Sequence, residues 1–154
     1  MLKINEIAPN FTLLDQNNKS FTLSDFRNQK VLLYFYPKDN TPGCTNQACS
    51  YRDNIEEFNK LNIKVVGIST DSVDSHNKFI DKNKLNFTLL SDSNKEVVQK
   101  YFVWREKVNF GKKYFGIIRS TFLVDEDGKL IYVKYKTSPS IDVENVLKIL
   151  QKWK

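Results

Sequence analysis

The chain has 154 residues and a formal net charge of +6, from 24 Lys and Arg against 18 Asp and Glu. Hydrophobic residues make up 40% of the chain, and glycine and proline number only five and four. This composition excludes a disordered chain and predicts one compact domain over residues 1–154. The lysines are scattered along the sequence, so the charge indicates a solvated basic surface and no nucleic-acid interface.

The N-terminal segment carries no targeting or membrane signal. No apolar run in the first thirty residues is long enough for the core of a secretory signal. No stretch of the chain approaches the roughly 18 apolar residues that a membrane span requires. We therefore expect a cytoplasmic protein with no membrane partner.

The first half of the chain predicts a hairpin and a βαβ unit. Alternating apolar and polar residues at 10–14 and 20–23 predict an N-terminal β-hairpin. The apolar run VLLYFY at 31–36 predicts a strand buried on both faces of a sheet. A helix from about 41 to 61 and a second buried strand at 63–69 complete the unit, whose crossover is expected to be right-handed.

The second half predicts two helices, a short strand and another hairpin. The helices are expected at 73–84 and 94–102, with a strand at 87–90 between them. Strands at 117–124 and 130–135 flank the turn sequence DEDG, which is typical of an antiparallel hairpin.

A final helix, about 140–153, carries apolar side chains at helical spacing. These are Val143, Val146, Leu147, Leu150 and Trp153. A βαβ unit followed by an antiparallel hairpin and a covering helix predicts an α/β protein with a mixed central sheet flanked by helices. This is the outline of a thioredoxin-like fold, with the N-terminal β-hairpin as an extension.

The segment PKDNTPGC joins the first buried strand to the following helix, where open α/β sheets bind ligands. Thr41 is the expected N-cap and Pro42 the first helical residue, because proline lacks an amide that would have no partner there. Cys44 then lies in the first helical turn. The helix dipole and the unpaired amides favour its thiolate, which is the reactive form.

The same helix predicts an inward direction for Cys44. Its apolar stripe comprises Ala48, Tyr51, Ile55 and Phe58, and Cys44 extends that stripe by one turn.

Arg119 is the candidate for stabilising a transition state at that thiol. Ionising a free thiol gains only about thirty-fold in rate, whereas enzymes typically need about 10⁶ or more. Arg119 lies in the apolar segment IIRSTFLV, where a buried guanidinium needs a carboxylate, a thiolate or a bound anion. A salt bridge to an acidic residue and a side chain that reaches solvent from a strand edge remain alternatives.

Cys49 follows Cys44 by five residues. On a regular helix this spacing means a rotation of about 140° and a Cα separation of roughly 8.6 Å. A disulfide requires Cα atoms within about 7 Å, so a bond between the two cysteines would require the first turns of the helix to unwind. The alternative is that Cys49 is a small inert side chain.

The sequence lacks the residues that several other kinds of functional site require. Two cysteines and the single histidine, His76, do not supply the four ligands of a structural zinc site. His76 lies in a polar stretch and is expected at the surface. The chain has no glycine-rich phosphate loop and no Cys-x-x-Cys pair. A holdase module whose cysteines sense oxidation and a general dithiol oxidoreductase remain as alternative functions for a chain with these two thiols.

The segments YFYPKDNTPGCTNQAC and GIIRSTFLVDEDG resemble the peroxiredoxins, and among them the bacterioferritin comigratory protein, or PrxQ-type, thiol peroxidases. The resemblance extends along nearly the whole chain. It implies that Cys44 is the peroxidatic cysteine and Cys49 the resolving cysteine. It also implies that Thr41 contacts the peroxide, that Pro37 shapes and shields the pocket, and that Arg119 holds thiolate and substrate.

The implied reaction is attack of the Cys44 thiolate on hydrogen peroxide or an organic hydroperoxide, which yields water or an alcohol and a sulfenic acid. Thr41, Arg119 and the amides near Gly43 and Cys44 would bind the peroxide oxygens. Cys49 would then form a disulfide, which thioredoxin or a similar dithiol would reduce. The resemblance implies no metal or organic cofactor, and a monomer.

Overall fold

The structure, a computed structural model, describes residues 1–152. Its helices are α1 (Pro42–Asp53), α2 (Ile55–Lys60), α3 (Val73–Asn83), α4 (Glu96–Lys100) and α5 (Asp142–Lys152), with a short 3₁₀ helix at Leu23–Phe26. Its strands are β1 (Thr12–Asp15), β2 (Ser20–Thr22), β3 (Lys30–Phe35), β4 (Ile63–Ser69), β5 (Thr88–Ser91), β6 (Trp104–Asn109), β7 (Lys112–Ile117), β8 (Ser120–Val124) and β9 (Leu130–Lys134).

The main sheet has seven strands in the order β2-β1-β5-β4-β3-β8-β9. Strand β4 runs parallel to both β3 and β5, whereas β3 pairs antiparallel with β8 and β8 with β9. The N-terminal hairpin is confirmed by the antiparallel pairing of β1 and β2. The mixed sheet and the βαβ unit are therefore as the sequence predicted.

Two hydrophobic cores lie on the two faces of this sheet, and β3 contributes to both. Leu33 and Phe35 belong to the core that includes α4, whereas Leu32 and Tyr34 belong to the core beneath α1, α3 and α5. Successive side chains of a strand point to opposite faces, so a strand between two cores is apolar at every position. This explains the uninterrupted apolar run that identified the strand.

The helix expected over residues 41–61 is two helices. Asn54 lies between them with φ −109° and ψ 10°, and its amide donates to the carbonyls of Ser50 and Tyr51. The interruption still leaves Phe58 fully buried and Ile55 packed against the same core. The predicted apolar stripe is therefore confirmed, although the helix is not continuous.

A third hairpin, formed by β6 and β7, was not predicted from the sequence. Its strands form a separate two-stranded sheet, and Gly111 supplies the turn with φ 78°. Most of its residues are exposed, so no apolar periodicity marked it. The strand predicted at 117–124 is confirmed over its last five residues, and its antiparallel pairing with β9 confirms the predicted hairpin. Its first part is wrong: β7 ends at Ile117 and β8 begins at Ser120, which leaves Arg119 in the short link between them.

The final helix follows the prediction closely. Val143, Val146 and Leu150 are buried and Leu147 packs against the same core, whereas Trp153 lies outside the described residues. None of the helices within residues 1–152 has the length and apolar character needed to cross a membrane.

Candidate active site

The active-site loop, residues 36–41, connects β3 to α1. Pro37 is half-buried near its start, and Pro42 is the first helical residue, as predicted. Thr41 occupies the N-cap position, but its hydroxyl donates to the carbonyl of Lys38 at 2.9 Å and makes no capping bond to the helix. The first amides of α1 are therefore left without a side-chain cap, which makes them available to a bound anion.

Cys44 lies in the first turn of α1 and is 1% exposed. Arg119 reaches it from the link between β7 and β8, and Nη2 donates to Sγ at 3.4 Å. The structure thus brings together a thiol and a guanidinium that are 75 residues apart in the chain. The positive end of α1 and the Arg119 guanidinium therefore both lie beside this sulfur.

A buried network orients Arg119. Its Nη1 donates to Gln47 Oε1 at 2.6 Å, and Gln47 Nε2 donates to Asp142 Oδ2 at 2.9 Å. The same carboxylate oxygen accepts the hydroxyls of Tyr51 at 2.6 Å and Thr121 at 2.9 Å. Burial, together with Asp142, raises the pKa of Tyr51 well above the usual phenol value, so Tyr51 stays a donor. Because the amide nitrogen of Gln47 donates to Asp142, Gln47 presents its carbonyl oxygen to the guanidinium.

The sequence left open a salt bridge between Arg119 and an acidic residue. Within residues 1–152, no carboxylate lies at ion-pair distance from this guanidinium. Its neighbours are a neutral amide oxygen and the Cys44 sulfur. The positive charge is therefore directed to the thiol and to any anionic species bound beside it.

Gly43 allows the close approach of this guanidinium to the helix. A Cβ at this position would lie 3.3 Å from Arg119 Nη2 and 3.4 Å from Pro139 Cγ. The contact with Arg119 would be tighter than most Cβ atoms show, and the contact with Pro139 would be at the short end of ordinary van der Waals contact. Glycine therefore keeps the helix N-terminus and Arg119 in contact.

Lys107 adds a second cation to these surroundings, which the sequence did not reveal because the β6–β7 hairpin was not predicted. The aliphatic part of its side chain packs over Gly116 of β7. Its Cδ lies 3.4 Å from the position that a Cβ of Gly116 would occupy. Burial lowers the pKa of Lys107, repulsion from Arg119 lowers it further, and attraction to Cys44 opposes this. Lys107, in the middle of β6, is therefore coupled electrostatically to both Arg119 and Cys44.

Tyr34 contributes a buried hydroxyl on the same side of the sheet. The hydroxyl has no hydrogen-bond partner among the described residues. Burial and the neighbouring Cys44 raise the pKa of Tyr34 well above its usual value, so the phenol stays neutral.

Cys49 lies one and a half turns further along α1 and is half-buried. Its Sγ is 4.0 Å from Asn83 Oδ1 of α3, and Arg52 Nη1 donates to the Asn83 carbonyl at 2.6 Å. Both cysteines are free, and α1 is helical throughout the segment that contains them. In this arrangement the helix itself holds the two thiols apart.

The expectation that His76 lies at the surface is wrong, because it is fully buried. Nδ1 lies 2.8 Å from Asp39 Oδ2, and Nε2 lies 2.9 Å from the Leu90 carbonyl. The polar sequence around it belongs to the solvent face of α3, whereas His76 shares a face with Phe79, three residues on. That spacing was the signal that could have identified its burial.

Asp39, Asp71 and His76 place possible metal ligands within 4.8 Å of one another. Hydrogen bonds already occupy these atoms: Asp71 Oδ2 accepts the Asp39 amide and the Ser69 hydroxyl, both at 2.8 Å. These contacts account for the cluster, and we assign no metal to it.

Comparisons with known proteins agree with these observations. The model of the AhpC/TSA family matches residues 4–133. The chain is 50% identical over 144 residues to a peroxiredoxin Bcp of Escherichia coli (strain K12), which covers 92% of each chain. It is 41% identical over 150 residues to a peroxiredoxin Bcp of Bacillus subtilis (strain 168), which covers 97% of this chain and 96% of the relative.

Solved structures confirm the thioredoxin-like fold. A PrxQ mutant of Xylella fastidiosa is 33% identical and gives a TM-score of 0.93, covering 99% of this chain and 97% of that one. A bacterioferritin comigratory protein of Xanthomonas campestris, studied for its alkyl peroxide reduction, is 33% identical with a TM-score of 0.87, covering 92% and 90%. The chain therefore belongs to the AhpC/TSA family, among the Bcp and PrxQ peroxiredoxins, and is a thiol peroxidase.

Proposed function

We propose that Cys44 is the thiol of this peroxidase that attacks the peroxide, and that Cys49 resolves the product. The observation that carries this proposal is the contact of 3.4 Å between Arg119 Nη2 and Cys44 Sγ. It gives the thiol a positive neighbour that no carboxylate among residues 1–152 neutralises.

In the first step the Cys44 thiolate attacks one oxygen of the hydroperoxide. A sulfur–oxygen bond forms, the O–O bond breaks, and the leaving oxygen takes both electrons and a proton to become water or an alcohol. The sulfur is oxidised to a sulfenic acid. Hydrogen peroxide and organic hydroperoxides are the proposed substrates, and reduction of alkyl peroxides by the Xanthomonas campestris relative supports the second class.

Charge moves from sulfur to the leaving oxygen during this step, so donors fixed around both atoms lower the barrier. Arg119 and the amides of Gly43 and Cys44 are the proposed donors. The Thr41 hydroxyl donates to the Lys38 carbonyl, which leaves its oxygen free to accept a hydrogen bond from the peroxide. Pro37, half-buried near the start of the active-site loop, is the proposed shield against water.

In the second step the Cys49 thiol attacks the sulfenic sulfur, a disulfide forms and water leaves. Because α1 holds the two thiols apart, the helix must unwind at Cys44 before this bond forms. We propose that thioredoxin or a similar dithiol then reduces the disulfide, in the cytoplasm, and that the chain acts as a monomer formed by one domain.

Mass spectrometry tests both steps after one equivalent of peroxide. We expect the parent protein to lose about 2 Da as the disulfide forms, and Cys49→Ser to gain about 16 Da as a sulfenic acid. Cys44→Ser should remain unchanged. Peroxide consumption by Cys44→Ser at the parental rate would overturn the assignment of Cys44, and unimpaired dithiol-linked turnover by Cys49→Ser would overturn the resolving role.

A further inference from the structure

A buried polar cluster lies beside the active-site loop and has no part in the chemistry described above. Its centre is the Asp39 carboxylate, which is 4% exposed. Oδ1 accepts the Tyr36 hydroxyl at 2.6 Å, and Oδ2 accepts the Ser75 hydroxyl at 2.8 Å. His76, which is fully buried, approaches Oδ2 at 2.8 Å. The first turns of α3 are thus joined to the middle of the loop.

The two ring nitrogens of His76 face two different acceptors. Nε2 lies 2.9 Å from the Leu90 carbonyl, which can only accept, so Nε2 donates this hydrogen bond. Nδ1 lies 2.8 Å from Asp39 Oδ2, which is a hydrogen-bond distance. His76 therefore connects the loop to the backbone of β5 through both nitrogens.

Asp39, which these contacts hold in place, is close to Cys44 in the sequence. Only four residues separate Asp39 from Cys44, and Asn40, the first of them, has a left-handed backbone with φ 65°. Asparagine adopts this conformation more readily than most side chains, and contacts of its neighbours help to hold it here. The Asp39 contacts hold the residue before Asn40, and the Thr41 bond to Lys38 spans Asn40.

We propose that His76, acting through Asp39, is a positioning residue that holds the active-site loop so that Thr41 and the N-terminus of α1 meet the peroxide at Cys44. This inference rests on the proposed role of Cys44. His76 touches neither the substrate nor the sulfur in this scheme; it acts by fixing the backbone that presents both. Small displacements of such groups reduce rates strongly, because the reaction depends on alignment.

Two amide substitutions separate the contacts of His76. In His76→Asn the amide nitrogen takes the place of Nδ1 and still donates to Asp39. In His76→Gln it takes the place of Nε2 and still donates to Leu90. Each variant keeps one bond and loses the other, so a merely structural role affects both to a similar degree.

The measurement is the single-turnover rate of sulfenic acid formation at Cys44 in a Cys49→Ser background, together with thermal unfolding. We expect His76→Gln to react about tenfold more slowly than the parent, and His76→Asn to stay within about threefold of it. Equal rates for the two variants, at any level of stability, would overturn the proposal. If the Cys49→Ser parent itself forms no sulfenic acid at Cys44, the proposed function fails first.

A milder substitution, Ser75→Ala, tests the proposal even if neither amide variant of His76 folds. Ser75→Ala removes one donor to the same oxygen of Asp39 and leaves the imidazole in place. We expect hydrogen exchange at residues 39–43 to become faster and sulfenic acid formation to slow about threefold. Unchanged exchange and an unchanged rate in Ser75→Ala would contradict the proposal.

Discussion

The two cysteines occupy the same helix but have different surroundings. Cys44 is 1% exposed and receives a guanidinium hydrogen bond at 3.4 Å, whereas Cys49 is half-buried and its Sγ lies 4.0 Å from Asn83 Oδ1. The surroundings of the first thiol fit its proposed attack on the peroxide. The partial exposure of the second fits its proposed role of meeting the first after a change of conformation.

The cations beside the two thiols also differ, because a carboxylate neutralises only one of them. Arg119 has no carboxylate partner among residues 1–152, and its charge is directed to Cys44. Arg52, near Cys49, pairs with Asp53 at 2.9 Å, and this bond is the main reason that the pKa of Arg52 is raised. A free cation next to one thiol and a neutralised cation next to the other indicate that the electrostatic activation is directed at Cys44.

Replacing each cysteine by serine has the largest expected effect on the rate of peroxide reduction, and it distinguishes the two thiols directly. Cys44→Ser should lose peroxide reduction entirely, because a serine hydroxyl is a far weaker nucleophile at neutral pH. Cys49→Ser should keep the rate of the first step within about twofold, because its side chain makes no contact with Arg119. Stopped-flow consumption of one equivalent of peroxide measures both, and a slow first step in Cys49→Ser would contradict the contrast.

Arg119→Gln tests the electrostatic part of the comparison. We expect the first step to slow about 10² to 10³-fold, which is typical for the loss of one donor to developing charge. Arg52→Gln is the matched control and should leave this step unchanged, since its charge is already paired. Equal losses in the two variants would show that net charge, and not the contact with Cys44, determines the rate.

Gly43→Ala tests the close approach with a smaller change. The added methyl group would press against Arg119 Nη2 and Pro139, and we expect a three- to tenfold slower first step. Asn46→Ala, at an exposed position of the same helix, serves as the control and should react like the parent. A parental rate in Gly43→Ala would mean that the guanidinium can shift without a loss of activity.

Lys107→Gln has the smallest expected effect and concerns stability. Because burial lowers the pKa of Lys107 in the folded protein, the folded state binds its proton less well than the unfolded state does. The resulting destabilisation is present below that lowered pKa and disappears as the pH rises past the ordinary value of 10.5. We expect Lys107→Gln to raise the melting temperature by about 1–2 °C at pH 7 and to bring no gain above pH 10.5. A constant difference across this range would exclude the electrostatic cause.

Much of the fold could be predicted because buried elements leave local patterns. The runs at 31–36 and 63–69 agree with β3 and β4 within one residue at each end, since strands between two cores are apolar at every position. The β6–β7 hairpin leaves no such pattern: its tip residue Phe110 is 99% exposed, and its side chains contribute little to either core. The strand that was expected to contain Arg119 starts later than predicted, because β7 and β8 are separate strands joined by a short link.

From its residues alone, the chain determined that a thiol follows Pro42 in the first turn of a helix and that Arg119 requires an anion. Only the tertiary structure decided that Cys44 lies beside Arg119, that Gln47 and Asp142 orient the guanidinium, and that His76 is buried against the active-site loop. The reason is physical. Helix starts and buried strands arise from interactions between neighbours in the chain. Contacts between residues 37 or 75 positions apart depend instead on how the strands are arranged in the sheet.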